Sequence, residues 1–235
     1  MMTSRRTFLQ AAATASLLLS LPVRAATMKI GMIGSGRVGG TIGELWIKAG
    51  HDVMFSARDI SEVRDLVARL GPRARAGTAR EAAAFGEVVM TAVPYSALPS
   101  IGRDNAAELK GKVVIDASNP IPNRDGEMAT AAREKGAGIA SAEFLPGTRL
   151  VRAFNCVGYN SMRSEAHRAG EKLAIPVAAD DQAALKAALG LIQDAGFEPV
   201  VVGGLVRAKL FDVGTPIFGK AVTAKELKAI LGLAQ

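Results

Sequence analysis

The segment Gly34-Ser35-Gly36-Arg37-Val38-Gly39 constrains this chain more than any other. It follows a short apolar run, Lys29–Gly34, and leads into apolar residues at Val38, Ile42, Leu45 and Ile47, spaced as on a helix that Gly50 closes. Strand, glycine turn and helix in that order give a G-x-G-x-x-G its physical meaning. Gly34 permits the tight turn, Gly36 lets a pyrophosphate approach the backbone, and Gly39 lets the helix pack closely on the strand. The helix start then offers free N–H groups and the positive end of its dipole to an anion. The competing explanation, an ordinary glycine-rich turn, needs neither the strand before it nor the helix after it.

The rest of the chain repeats the alternation. Apolar runs at Asp52–Ser56, Val88–Val93, Lys112–Ala117, Leu150–Phe154, Leu173–Ala179 and Glu198–Val202 read as strands. Between them lie helical patterns. One runs from a capping Ser61 to Gly71-Pro72, and others lie near Ala79–Phe85, from about Ala97 to Leu109, near Glu127–Lys135, near Ser141–Leu145 and over Asp181–Asp194. Residues Asn119–Asp125 read as a loop. The pattern predicts an α/β fold with a doubly wound, mostly parallel sheet, the Rossmann NAD(P)-binding fold. A short helical extension over 205–235, interrupted at Gly214-Thr215-Pro216, completes it. No repeat and no Pro/Gly-rich boundary sets off a second large domain, so residues 27–235 are expected to form one domain.

Ligands of such sheets lie across the carboxyl ends of the strands. Sites that prefer NAD carry an acid about 20 residues after the glycines, where it bonds the ribose 2′-OH. Here the second strand ends Phe55-Ser56-Ala57-Arg58-Asp59. Arg58 can pair with a 2′-phosphate and Ser56 can donate to it, which favours NADP over NAD. Asp59 would serve the ribose only if the strand ran one residue longer, and a solvated surface arginine is the plain alternative for Arg58. The nicotinamide half falls to Ala92-Val93-Pro94-Tyr95, Asp116–Pro120 and Ala153–Cys156. Asn119 and Asn155 stand where a side-chain amide could orient a carboxamide, with turn capping the competing role. The expected cofactor-binding set is Gly34, Ser35, Gly36, Arg37, Val38, Gly39, Ser56, Arg58, Ala92, Val93, Pro94, Asn119 and Asn155.

No catalytic side chain stands out. The cleft offers Tyr95 and Cys156, with Lys209 and Asp212 in the tail, but no histidine and no carboxylate pair of the acid–base kind. Cys156 reads as a small buried filler. His51 and His167 have no metal-like neighbours, so no metal is expected. The formal charge is +7, but Arg5, Arg6 and Arg24 precede residue 27 with no acid among them, which leaves 26 basic residues against 22 acidic. That mild excess, with no basic run interleaved with aromatics, disfavours nucleic acid as a partner.

Residues 1–26 have the three-part plan of a signal peptide. Ser4-Arg5-Arg6-Thr7-Phe8-Leu9-Gln10 is followed by an Ala/Leu-rich stretch to Leu21 and by Val23-Arg24-Ala25-Ala26. The stretch is too short for a membrane span, which needs about 20 apolar residues. The paired arginines ahead of Phe8-Leu9 are of twin-arginine (Tat) type. Export to the periplasm or beyond, through the Tat machinery, is therefore expected. The alternative is a cytoplasmic protein that starts at Met28, where the first strand begins cleanly.

Met28–Gly39, Ser56-Ala57-Arg58, Thr91-Ala92-Val93-Pro94, Asp116-Ala117-Ser118-Asn119-Pro120 and Leu145-Pro146-Gly147…Val151-Arg152-Ala153-Phe154-Asn155 occur in this order. Together they resemble the NADP-dependent coenzyme F420 oxidoreductase family over about residues 28–203. Its superfamily includes the reductase domains of metalloreductases and the amino-terminal domain of pyrroline-5-carboxylate reductases. The resemblance implies a hydride passed between NADP(H) and coenzyme F420, a flavin or another small redox acceptor. It also implies that Ser35, Arg37 and Arg58 touch phosphates, that Ala92, Val93, Asn119 and Asn155 line the nicotinamide, and that the terminal helices make a dimer contact. The chain departs from the family at Ala57, where Ser is usual, and at Cys156, where Thr is usual. Two other readings of the same fold are a reductase or dehydrogenase of a small imine, hydroxy acid or sugar, and a non-catalytic dinucleotide-binding module.

Overall fold

The computed structural model describes residues 27–234, so the expected export signal lies outside the described residues. Eight strands form one sheet in the order β3-β2-β1-β4-β5-β6-β7-β8. They are β1 Lys29–Ile33, β2 Asp52–Ser56, β3 Ala74–Gly77, β4 Val88–Thr91, β5 Val113–Asp116, β6 Arg149–Arg152, β7 Ala174–Ala179 and β8 Glu198–Gly203. β1 to β6 pair in parallel. β7 runs antiparallel to β6 through only two pairs, Val151↔Ala179 and Arg152↔Ala178, and β8 is parallel to β7. The expected doubly wound, mostly parallel sheet is therefore present, with its direction reversed once near the end. The strand order itself reverses between β1 and β4, which is where such sheets open a crevice at their carboxyl edge.

Strand residues alternate between two cores. Ile30, Met32, Met90 and Ile115 share one apolar cluster, while Ile33, Val89 and Val114 share the other. The period of two follows from the pleat, and burial on both faces explains why β4 (Val-Val-Met-Thr) and β5 (Val-Val-Ile-Asp) are almost wholly apolar.

The helices are α1 Arg37–Ala49, α2 Ser61–Leu70, α3 Ala79–Phe85, α4 Leu98–Asp104, α5 Ala106–Leu109, α6 Pro122–Asp125, α7 Glu127–Lys135, α8 Ala137–Phe144, α9 Tyr159–Glu165, α10 Gln182–Asp194 and α11 Ala224–Leu231. α1 lies unusually close to β2, because a Cβ at Gly43 would collide with the Phe55 ring. Trp46 Nε1 donates to the Leu191 carbonyl at 2.8 Å and ties α1 to α10. His51, fully buried, accepts the Met28 N–H at Nδ1 and meets Asp194 through Nε2, so it is a structural link between the start of β1 and the end of α10.

Four expectations are corrected. The helix over Ala97–Leu109 is two helices broken at Asn105, whose Nδ2 donates to the Ile101 carbonyl. The Asn119–Asp125 loop contains the single turn α6. Ser61 is the first residue of α2 rather than its cap; Asp59 Oδ1 accepts the Ser61 N–H at 2.8 Å instead. The 205–235 extension is a 3-10 segment, Leu205–Phe211, then irregular chain, then α11. No helix among the described residues is long and apolar enough to cross a membrane.

Candidate functional site

The carboxyl ends of β1, β2, β4, β5 and β6 bring most of the expected residues to one edge of the sheet. At β1 the chain turns at Gly34 with φ +98°, in the left-handed region that favours glycine. A side chain there would collide with the Ala92 carbonyl and Val93, and one at Gly39 with the Gly34 carbonyl. Gly36 is different. A Cβ added there meets nothing within 4 Å, although the backbone (φ −66°) would accept any residue. The protein's own packing therefore does not require glycine at 36, whereas a ligand pressed against the backbone would. α1 starts at this point with no side-chain cap and no acid in its first turn, although Thr78, Asp181 and Thr223 cap α3, α10 and α11. Its first N–H groups remain available to an anion. Arg37 is exposed at that end, with its guanidinium 5.3 Å from the Tyr159 ring centroid.

At β2 the two expected contacts separate. Arg58 is exposed and makes no ion pair or hydrogen bond among the described residues. Ser56 is buried, and its hydroxyl donates to the Met32 carbonyl at 3.1 Å. The carboxylate of Asp59 is held below its ordinary pKa by the N–H and hydroxyl of Ser61, which commits it to the start of α2.

At β4 to β6 the edge is built from side chains. Ala92 and Val93 are half-buried beside the glycine turn, and Pro94 is exposed above them. Asn119 Nδ2 donates to the Asn155 carbonyl at 2.7 Å. Asn155 Nδ2 donates to the Phe211 carbonyl at 3.2 Å and to Asn119 Oδ1 at 3.4 Å. Asn155 Oδ1 is buried with no partner among the described residues. A buried acceptor without a donor is costly and is normally satisfied. Here it would suit the N–H of a carboxamide.

The titratable groups of the cleft do not suit acid–base chemistry. Tyr95 is fully buried, with its hydroxyl shared with Ser141 Oγ at 3.1 Å and the Ala137 carbonyl, and burial pushes its pKa to about 12. Burial likewise raises the Cys156 thiol to about 12. Among the described residues no cluster of three or more His, Cys, Asp or Glu side chains could hold a metal.

Sequence reasoning missed a buried network below the asparagines. Arg152 and Asp116 are both fully buried, with Nη1 2.7 Å from Asp116 Oδ2, and Arg152 Nη2 lies 3.3 Å from Asp212 Oδ1. Burial opposes the charge on Arg152, but the two carboxylates outweigh it and its pKa is raised. The available signal was an acid at the end of one apolar strand and an arginine at the end of the next, which the parallel register sets side by side as Asp116↔Arg152. Asp212 also lines a cavity of about 410 Å³ with Pro122, Thr130, Arg133, Lys209 and Thr215.

Residues 29–120, from β1 through the Asn119 turn, match the family model described as NADP oxidoreductase, coenzyme F420-dependent. Over these residues the chain is similar to that family. The likeness extends further along the chain in whole-length relatives of the family. The chain is 28% identical over 209 residues to the F420-dependent NADP reductase of Methanothermobacter thermautotrophicus, covering 83% of this chain and 89% of that one. It is 29% identical over 205 residues to the enzyme of the same name from Methanothermobacter marburgensis, covering 81% and 90%. Among solved structures, a hypothetical protein from Sinorhizobium meliloti superposes with a TM-score of 0.70 at 22% identity, covering 86% of this chain and 97% of that one. That last likeness concerns the fold alone. The chain is thus similar to F420-dependent NADP oxidoreductases over most of its length and is built on a Rossmann sheet.

Proposed function

We propose that the protein passes a hydride between NADP(H) and a ring acceptor of flavin or deazaflavin type, coenzyme F420 being the acceptor for which its curated relatives are named. The observation that carries this reading is the uncapped start of α1 under the open space at Gly36. Backbone N–H groups there suit a pyrophosphate. Arg58, exposed at the end of β2, suits a 2′-phosphate. At the other end Asn155 Oδ1 suits a carboxamide N–H. When bound, NADPH supplies the hydride, and the chain's residues hold its phosphates, orient its carboxamide and keep water away. Tyr95 and Cys156, with pKa values near 12, stay protonated at neutral pH and do not serve as bases. Hydride transfer between two ring systems needs little beyond their juxtaposition. The 410 Å³ cavity beside Asp212 supports an acceptor on the tail side.

The test is fluorescence titration of NADPH and NADH, followed by NADPH oxidation with F420, FMN and FAD, and with small imines, hydroxy acids and sugars. The expected result is tighter binding of NADPH and turnover with a ring acceptor. Turnover only with an imine, hydroxy acid or sugar would replace this reading with the dehydrogenase one. Binding without any turnover would leave a nucleotide-binding module.

Export by the Tat route belongs to the same proposal, on the strength of Arg5-Arg6 ahead of a short apolar stretch. The double change Arg5→Lys, Arg6→Lys is expected to leave precursor in the cytoplasm. Unchanged appearance of the double variant in the periplasm would remove the assignment.

A further inference from the structure

The buried ions lie directly behind the two amides that face the carboxamide position. Arg152 Nη1 donates to Asp116 Oδ2 at 2.7 Å and also to the carbonyls of Asp116 (3.2 Å) and Ser118 (2.8 Å). A single guanidinium therefore grips the whole Asp116–Ser118 turn, and the next residue is Asn119. Asp116 Oδ1 reinforces the grip by accepting the Ser118 N–H and the Thr91 hydroxyl, each at 2.9 Å. On the other side of Arg152 the chain must reverse to present Asn155. It does so at Phe154, which adopts φ +62°, a conformation costly for a non-glycine residue. The Phe154 ring is buried in edge contact with Trp46 and Phe197, with centroids 6.1 and 6.2 Å away, which holds the turn in place.

Asp212 joins the C-terminal segment to this assembly. Oδ1 meets Arg152 Nη2, and Oδ2 accepts the Ala137 N–H at the start of α8 at 3.0 Å. The neighbouring Phe211 carbonyl accepts from Asn155 Nδ2. A carboxylate that lines the cavity is thus wired through one arginine to the turn bearing Asn119, while the residue before it holds Asn155.

We propose that Asp212 and Arg152 are positioning residues for the nicotinamide, setting the aim of Asn119 and Asn155 without touching the cofactor. The inference rests on the dinucleotide reading above. It requires that loosening Asp212 or Arg152 weakens the nicotinamide end of binding and spares the phosphate end, some distance along the sheet edge.

The experiment compares, by calorimetry, NADP(H) with 2′-phospho-ADP-ribose, which keeps every phosphate and lacks the nicotinamide. It uses the full chain as wild type, Asp212→Asn and Arg152→Lys, with melting temperatures measured alongside. Wild type should bind the intact dinucleotide more tightly than the fragment. In both variants that advantage should shrink roughly tenfold, the scale of one charge-assisted contact, while fragment affinity stays within about twofold. The stereochemistry of deuterium transfer from (4R)- and (4S)-[4-²H]NADPH gives a second readout, and a loosened ring should lose facial fidelity. If Arg152→Lys does not fold, Asp212→Asn alone decides, since its shape is unchanged. A folded variant that keeps the full advantage overturns the positioning role, and so does one that loses fragment and dinucleotide affinity equally. Wild type that binds neither compound overturns the dinucleotide reading itself.

Discussion

The two ends of the cleft are built by opposite means. At the end proposed for the phosphates, β1 and α1 present bare backbone: a glycine with nothing within 4 Å of its absent side chain, a helix start without a cap, and exposed Arg37 and Arg58. At the end proposed for the nicotinamide, β5 and β6 present side chains fixed from behind by a fully buried ion pair, a strained turn and a carbonyl from the tail. The first end leaves donors open for a ligand; the second has spent nearly all of its own. Substitutions should accordingly separate binding from folding at one end and entangle them at the other.

The largest effect should come from Arg152→Met. It leaves Asp116 charged and buried without its partner, a change that typically costs about 3–5 kcal/mol. Urea unfolding measures it, and a loss below about 1 kcal/mol would break the contrast. Gly36→Val should do the reverse. Its side chain enters space that no protein atom occupies, so the melting temperature should move by only about 2 °C. NADPH affinity should fall by about a hundredfold or more, some 2.7 kcal/mol. A folded Gly36→Val that still binds NADPH would mean that the pyrophosphate lies elsewhere. Next comes Arg58→Ala, which removes one exposed charge-assisted contact. Roughly ten- to hundredfold loss of NADPH affinity is expected, with NADH affinity little changed. Equal losses for the two cofactors would assign Arg58 a structural role.

The smallest effect is a pH dependence at the nicotinamide end. Asp125 accepts N–H groups from Ile121 and Ser96 and pairs with Arg124, so it pins the loops after β4 and β5 together. Burial pushes its pKa up, but Arg124 and those N–H donors more than offset this and hold it at about 2, against an ordinary 3.8. The folded value is the lower one, so the stabilisation is complete above about pH 4 and disappears as pH falls through about 2. It amounts to at most about 2 kcal/mol. Unfolding of wild type and Asp125→Asn across that window checks it, and parallel curves would show that the carboxylate contributes nothing there.

The same contrast explains what could be read from the sequence. The glycine loop, α1, the apolar strands and the acid-capped α10 are local patterns, and each lies within about two residues of its expected place. β3 (Ala-Arg-Ala-Gly) is four residues long with only small apolar side chains, too little for a strand signal. It is a strand because β2 offers it an edge, with Arg75 lying over the Phe85 ring. α9 buries only Met162 and carries little periodic signal. Ser56 suits a phosphate by its identity, while its direction, towards the Met32 carbonyl, is set by β2 and is not legible in the sequence. Arg152, Asp116 and Asp212 were invisible as a set because they lie on two strands and a tail, and only the β5–β6 register and the return of residues 205–212 bring them together. Local order writes the phosphate end, and tertiary order writes the other.

The reversed strand has one more consequence. β7 touches β6 through two residue pairs, and Ala174–Val177 run past the end of β6, where they pair only with β8. Strand pairing joins the last part of the molecule to the parallel strands only along that short seam, one of whose residues is Arg152. The rest of its hold comes from side chains, Trp46 on Leu191, His51 on Asp194 and Arg152 on Asp212, so cohesion between the two halves is written in tertiary contacts where the backbone ladder gives out.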